Sequence, residues 1–279
     1  MFLASVMAFL LAASAGGQAT PQAAAQTPPD EGQRALALYE AKKYDEAVRV
    51  LEAALVRSPK NPDLLFDLGL VLREKGDLPR AQESFEKELA IRPDDAEGHL
   101  VLARIHESRG ERVPAVLAYL RFLSLEPSSD RTRGVVDTVQ SLMAGGVEKD
   151  RHDPEKFVLP EKKGRDGATE DPEVLMAFIA AAAQYRDKDA PPISDAEKLV
   201  KEIQTFTGFL TQTRKVDDPF AAKTYLPFVS EMSGRGLVEP FGYAVAAGAG
   251  KKGGSDWVGK NASRVAEMRG WARSYRPAP

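Results

Sequence analysis

The chain has no cysteine in 279 residues. That removes disulfides, thiolate-bound zinc, iron–sulfur clusters, a thiol nucleophile and a lipid-bearing cysteine together. Histidine is nearly absent too: only His99, His106 and His152 occur, too few for a histidine-rich metal centre or most catalytic triads. His99 and His106 stand seven apart, about 11 Å of helical rise, which is too far for one ion and suits a buried helix face. No HExxH or GxSxG motif is present. The run 248–255 (GAGKKGGS) fails as a phosphate loop: no glycine stands five before Gly250, and Lys252 replaces the required Ser or Thr. It reads as a flexible basic turn. No metal, cofactor or catalytic residue is expected, and the net charge of −3, from 38 basic and 41 acidic residues, sets up no field toward nucleic acid or an anionic membrane.

Charge is also missing from the start of the chain, where none appears before Asp30. Residues 2–15 (FLASVMAFLLAASA) form an apolar run too short to cross a membrane, which needs about twenty residues. Small residues follow it at Ala13-Ser14-Ala15 and Gly17-Gln18-Ala19. This pattern predicts a cleaved secretory signal over 1–19, departing from the rule only in lacking an early Lys or Arg. Residues 20–29 (TPQAAAQTPP) read as a disordered tether. The expected location is therefore the periplasm or cell envelope, or the cytoplasm if the leader is retained.

What the chain does have is a period. Pro59, Pro93 and Pro127 recur at 34 residues, as do Ala47, Ala81 and Ala115, and Leu51, Phe85 and Tyr119. Leu68 with Leu102, and Ala35, Gly69 and Ala103, keep the same phase. A period of this length marks stacked supersecondary units. Leu65, Leu68 and Leu72, then Ala81, Phe85 and Leu89, have helical spacing, and Gly76 and Gly110 separate the two helices. The small residues allow close helix crossings, while the large ones fill the space between hairpins. Repeat one is the least regular, with Lys42-Lys43 where the others have glycine.

These five series resemble the tetratricopeptide repeat family across about 30–128. The resemblance implies a right-handed superhelix with repeats at 30–61, 62–95 and 96–129. A covering helix at 130–144, with Val135, Val139 and Leu142 on one face, is expected to solvate the array's end. The resemblance also implies a concave groove, lined by the first helix of each hairpin, that holds a peptide or partner helix. Its candidate residues are Leu36, Tyr39, Phe66, Leu70, Arg73, Leu100 and Arg104, with Glu40, Asp63, Asp67, Glu74, Glu97 and Glu107 at the rim. Residues 30–130 hold 15 basic and 20 acidic side chains, a net of −5, which suits a guest with apolar anchors and some basic character. The Asn and Lys with which some members grip a C-terminal carboxylate are absent from these positions.

A charged linker over 146–171, with 14 charged residues in 26, leads to a second helical domain over 172–279. Helices are expected at 172–186, from the capping box Ser194-Asp195-Ala196-Glu197, from Asp218-Pro219, over 237–247, and from Asn261 to Tyr275. Residues 251–279 carry seven basic and two acidic side chains, a net of +5, which raises the prospect of docking on the acidic array or of self-association through this tail. The fold class is thus all-α. The expected function is a noncatalytic protein–protein scaffold or assembly adaptor of a bacterial envelope. The alternative is an envelope-associated enzyme, or a polymer-binding module, in the C-terminal domain, with the repeats recruiting its partner.

Overall fold

The computed structural model describes residues 29–144, 148–149, 157–158 and 192–277. The expected leader and tether, most of the linker and the helix expected at 172–186 lie outside these residues. Six helices form three hairpins: α1 (Pro29–Glu40) with α2 (Tyr44–Arg57), α3 (Pro62–Lys75) with α4 (Leu78–Ile91), and α5 (Ala96–Ser108) with α6 (Arg112–Leu125). Helix α7 (Thr132–Ala144) follows, then a two-residue antiparallel pair, β1 (Glu148–Lys149) and β2 (Phe157–Val158), inside the expected linker. The C-terminal helical region comprises α8 (Asp195–Thr213), α9 (Pro219–Gly234), α10 (Val238–Gly248), α11 (Gly254–Lys260) and α12 (Ala262–Ser274). Among the described residues the fold is all-α apart from that short pair: a superhelix of three hairpins, as the repeat resemblance implies, with this region added.

Local chemistry explains the boundaries. The Asn61 side chain accepts from the backbone N–H of Asp63 at 3.0 Å and Asp95 from that of Glu97 at 3.0 Å, so each supplies a helix start. Ser194 accepts from Glu197 N–H at 3.1 Å and Asp218 from Ala221 N–H at 2.7 Å, as their sequence contexts predict. Between α1 and α2, Lys42 itself takes the left-handed conformation, φ +56°, that glycine provides in the other hairpins. The small-and-large pairing is literal: a Cβ on Gly69 would sit 2.7 Å from the Phe85 ring.

The described C-terminal helices share the core of the array. Helix α6 is buried from Val113 through Ser124 without interruption, because α5 and α7 cover part of it and α9, α10 and α12 cover the rest. A helix apolar on all sides requires such complete cover. Helix α7 likewise packs against α8 and α10, so the end of the array is closed by the C-terminal region and α7 is an interior layer. One apolar cluster runs from Leu100 and Phe122 through Phe206 and Tyr225 to Met268; a second holds repeats one and two.

Arg121, 2% exposed, sits where these parts meet. Its Nη1 donates to the Ala272 carbonyl at 2.7 Å and its Nη2 to the Pro93 carbonyl at 2.8 Å, with the guanidinium 4.8 Å from the Phe228 ring centre. Burial pushes its pKa down to about 10, so it stays charged at neutral pH. His99 Nε2 donates to the same Pro93 carbonyl at 3.1 Å, which leaves Nδ1 to accept from the Tyr225 hydroxyl at 2.9 Å. Both His99 and His106 are core residues.

Two local readings need correction. Residues 248–254 are no flexible turn. A Cβ on Gly248 would lie 1.9 Å from the Pro127 carbonyl oxygen, and Ala196 N–H donates to the Lys252 carbonyl at 3.2 Å. Asn261 makes no side-chain cap on α12; its Nδ2 donates to the Trp257 carbonyl at 2.9 Å, at the end of α11, a helix too short for its periodicity to show in the sequence. The basic tail meets the acidic array of its own chain at one point, as its charge suggests: Arg276 pairs with Asp94 at 3.2 Å, while Lys251 pairs with Asp137 on α7 at 2.9 Å.

The Gly248 contact gives a sharp stability test. Gly248→Ala is expected to destabilise the chain by about 3 kcal/mol, because a backbone carbonyl cannot move aside as a side chain can. Gly270→Ala, on α12 with nothing within 4 Å of the added Cβ, should stabilise by roughly 0.5–1 kcal/mol through helix propensity. Urea unfolding of the two variants reads both signs.

Candidate functional site

The second helices and the C-terminal region consume most of the apolar surface, which leaves the first helices as the available face. Leu36 and Tyr39 on α1, and Phe66, Leu70 and Arg73 on α3, are half-buried, and Arg104 on α5 is exposed. Leu100 differs. It is 0% exposed and belongs to the core shared with the C-terminal region, so it offers nothing to a guest. The aromatic residues are held in place from beneath. The Phe66 ring meets Phe85 edge-on at 5.5 Å, and Tyr39 leans on Tyr44 at 5.9 Å. These contacts fix the rings before any guest arrives, which lowers the entropy lost on binding.

Beyond Leu100 the face opens into a depression of about 390 Å³ between α5 and α7, whose lining includes Arg104, Glu107, Tyr119, Asp130, Arg131 and Gly134. The Tyr119 hydroxyl donates to Glu107. Burial and that carboxylate hold the phenol well above its usual range, with Arg104 opposing them. Arg131 is engaged by Glu97 and by Glu126 at 3.0 Å. Gly134 faces open space. Sequence reasoning stopped one repeat short here. Residue 134 continues the series Phe66 and Leu100, and residue 138 continues Leu36, Leu70 and Arg104, so the 34-residue phase alone could have placed α7 as a fourth lining helix.

The rim acids do not act alike. Glu74 pairs with Arg73 at 2.7 Å and Asp63 with Arg92 at 2.8 Å. Arg92 is also held by the buried Glu88 at 3.0 Å. Burial and the charge of Asp95 push Glu88 up to about 8. Asp67 makes no hydrogen bond or ion pair among the described residues; burial first, and then the charge of Asp63, push it up to about 6, with Arg92 only partly offsetting them. Among the described residues no group of three His, Cys, Asp or Glu side chains is placed to hold a metal, and no helix is long and apolar enough to cross a membrane.

Comparison with known proteins agrees with this geometry. The Tetratricopeptide repeat family model matches residues 33–96 and 66–130. Protein O-mannosyl-transferase TMTC1 of Homo sapiens is 33% identical over 92 residues, 32% of this chain and 10% of that protein. Its Mus musculus counterpart is 34% identical over 90 residues, 31% of this chain and 10% of that protein. Cell division cycle protein 27 homolog A of Arabidopsis thaliana is 31% identical over 93 residues, 33% of this chain and 13% of that protein. The chain thus spans about a tenth of the length of these curated relatives.

The state of Asp67 has a measurable consequence. The folded chain keeps its proton up to about pH 6, whereas the ordinary value is 3.8, so this group withdraws stability as the pH rises through that window. Asp67→Asn should therefore melt higher than the natural chain at pH 7.5 and equal to it near pH 3.5. A variant that melts lower at pH 7.5 would show that the carboxylate is satisfied in the fold.

Proposed function

We propose that this tetratricopeptide repeat protein is a noncatalytic binding scaffold that receives a segment of a partner protein on the face formed by α1, α3, α5 and α7. Tetratricopeptide repeats in general mediate protein–protein interaction. The observation that carries the reading is the row of half-buried apolar side chains, Leu36 and Tyr39 on α1 and Phe66 and Leu70 on α3, the latter helix being buried elsewhere at Leu64, Leu65, Leu68, Gly69, Val71 and Leu72. Fixed rings on a rigid scaffold give anchor pockets for the large side chains of a guest. The depression beside Tyr119 extends the face by one further repeat.

Export to a cell envelope is part of the same proposal. It is supported by the apolar run of residues 2–15 and the small residues after it, and fractionation of cells producing the full chain tests it. An assembly adaptor acting there fits a chain in which the repeats and the C-terminal helices share one core, because such a body presents its binding face in one fixed orientation.

The double variant Phe66→Asp with Leu70→Asp tests the binding face. Both side chains are already partly solvated, so circular dichroism should show an intact helical fold. Crosslinked partners recovered with the natural chain from its native envelope should be lost by at least tenfold. Full recovery by a folded double variant would place binding elsewhere.

A further inference from the structure

The preferred guest of this face follows from which charges the fold leaves unmatched. Resting on the binding reading above, we infer that the α1–α3 part of the groove selects a partner segment in which a lysine or arginine stands within a helical turn of a large apolar residue, with Asp67 receiving the cation and Phe66 and Leu70 the apolar side chain.

Leu70 stands four residues after Phe66 and three after Asp67, so on α3 it has the apolar ring on one flank and the carboxylate on the other. The fold supplies that carboxylate with no partner of its own. The one cation that acts on it, Arg92, is already divided between Asp63 at 2.8 Å and Glu88 at 3.0 Å, with Asp95 at 3.7 Å. Arg73, the next cation along the groove, is taken by Glu74 at 2.7 Å. A half-buried carboxylate without a counter-charge is costly, and a guest cation removes that cost on arrival. Glu40, exposed on α1 and without an ion pair among the described residues, adds the same sign at the neighbouring helix. At the far end Arg104 and Asp130 stand in the same depression with opposite charges, so the preference in sign is set at α3.

Among the described residues, the basic tail does not fill this role. Lys251, Arg264 and Arg276 are paired to Asp137, Glu239 and Asp94, and Met268, Ala272 and Tyr275 between them are buried. Offering this tail to the groove, in the same or a second copy, would require unpacking the C-terminal core. With the described tail held in this way, the proposed guest is a segment of a different protein.

A display library of random twelve-residue peptides, selected on the full chain, on Asp67→Asn and on Phe66→Asp/Leu70→Asp, tests this. The natural chain should enrich peptides with Lys or Arg within four residues of Leu, Ile, Phe, Tyr or Trp. Asp67→Asn should retain the apolar preference and lose the basic one. A synthetic peptide from the first selection should bind Asp67→Asn about tenfold more weakly, the scale of one charge pair at a partly desolvated site. Its Lys→Met form should bind the natural chain and Asp67→Asn equally. Enrichment of acidic or uncharged peptides, or equal binding of the basic peptide by both chains, overturns the charge selection while leaving the groove in place. No enrichment on the natural chain, or unchanged enrichment on the double variant, overturns the groove reading itself.

Discussion

The carbonyl of Pro93 accepts from two buried side chains at once, His99 Nε2 at 3.1 Å and Arg121 Nη2 at 2.8 Å. A proline here ends α4 and has no N–H of its own to satisfy, but its carbonyl lies under the next hairpin and must find donors. Arg121 answers that need and carries a positive charge into the core to do so. Among the described residues no carboxylate forms an ion pair with it, Asp94 acting only from a distance, and the guanidinium is held by two backbone carbonyls, the Ser124 hydroxyl and the faces of Phe228 and Tyr275. Neutral carbonyls offset only part of the desolvation of a charge, so every one of these contacts has to be in place together. That requirement locks repeat three, α9 and α12 into one arrangement.

From this lock follows the division of the molecule into two faces. The C-terminal helices cover α6 and the outer side of α7, so the second-helix side of repeat three carries no free apolar surface. The first-helix side keeps its rings, and they are backed by packed layers instead of solvent. A binding face of this kind does not need to fold around its guest; it is already shaped, and selectivity can reside in a few positions such as Asp67 and Leu70.

The repeat array was legible because its small and large residues recur in phase, and the physics behind the phase is visible at Gly69 under Phe85. Helix starts at Ser194 and Asp218 were legible because a side-chain oxygen has to meet the first N–H groups wherever a helix begins. What periodicity could not show is where a residue's exposed side is covered by something distant in sequence. Leu100 has the phase of a groove residue, yet it is buried in a core that includes residues more than a hundred positions later. Arg121 left one trace, a single charge inside the apolar run VPAVLAYLRFLSL; its partners are backbone carbonyls, which no residue pattern encodes. The glycines at 248–254 looked like a loop because composition alone does not distinguish freedom from close approach.

The bond from Arg121 to the Ala272 carbonyl joins residues 151 positions apart, and this sets an order of events during synthesis. Repeats one and two share a core that reaches no further along the chain than Ile105, so they can close as soon as α5 has emerged. Repeat three cannot follow directly. Its second helix stays uncovered on one side, and its arginine stays without half of its acceptors, until α12 has been made. The array therefore matures in two stages, with an apolar helix waiting in between. A cell that makes this protein has to keep that helix from other chains for as long as it takes to translate those 151 positions.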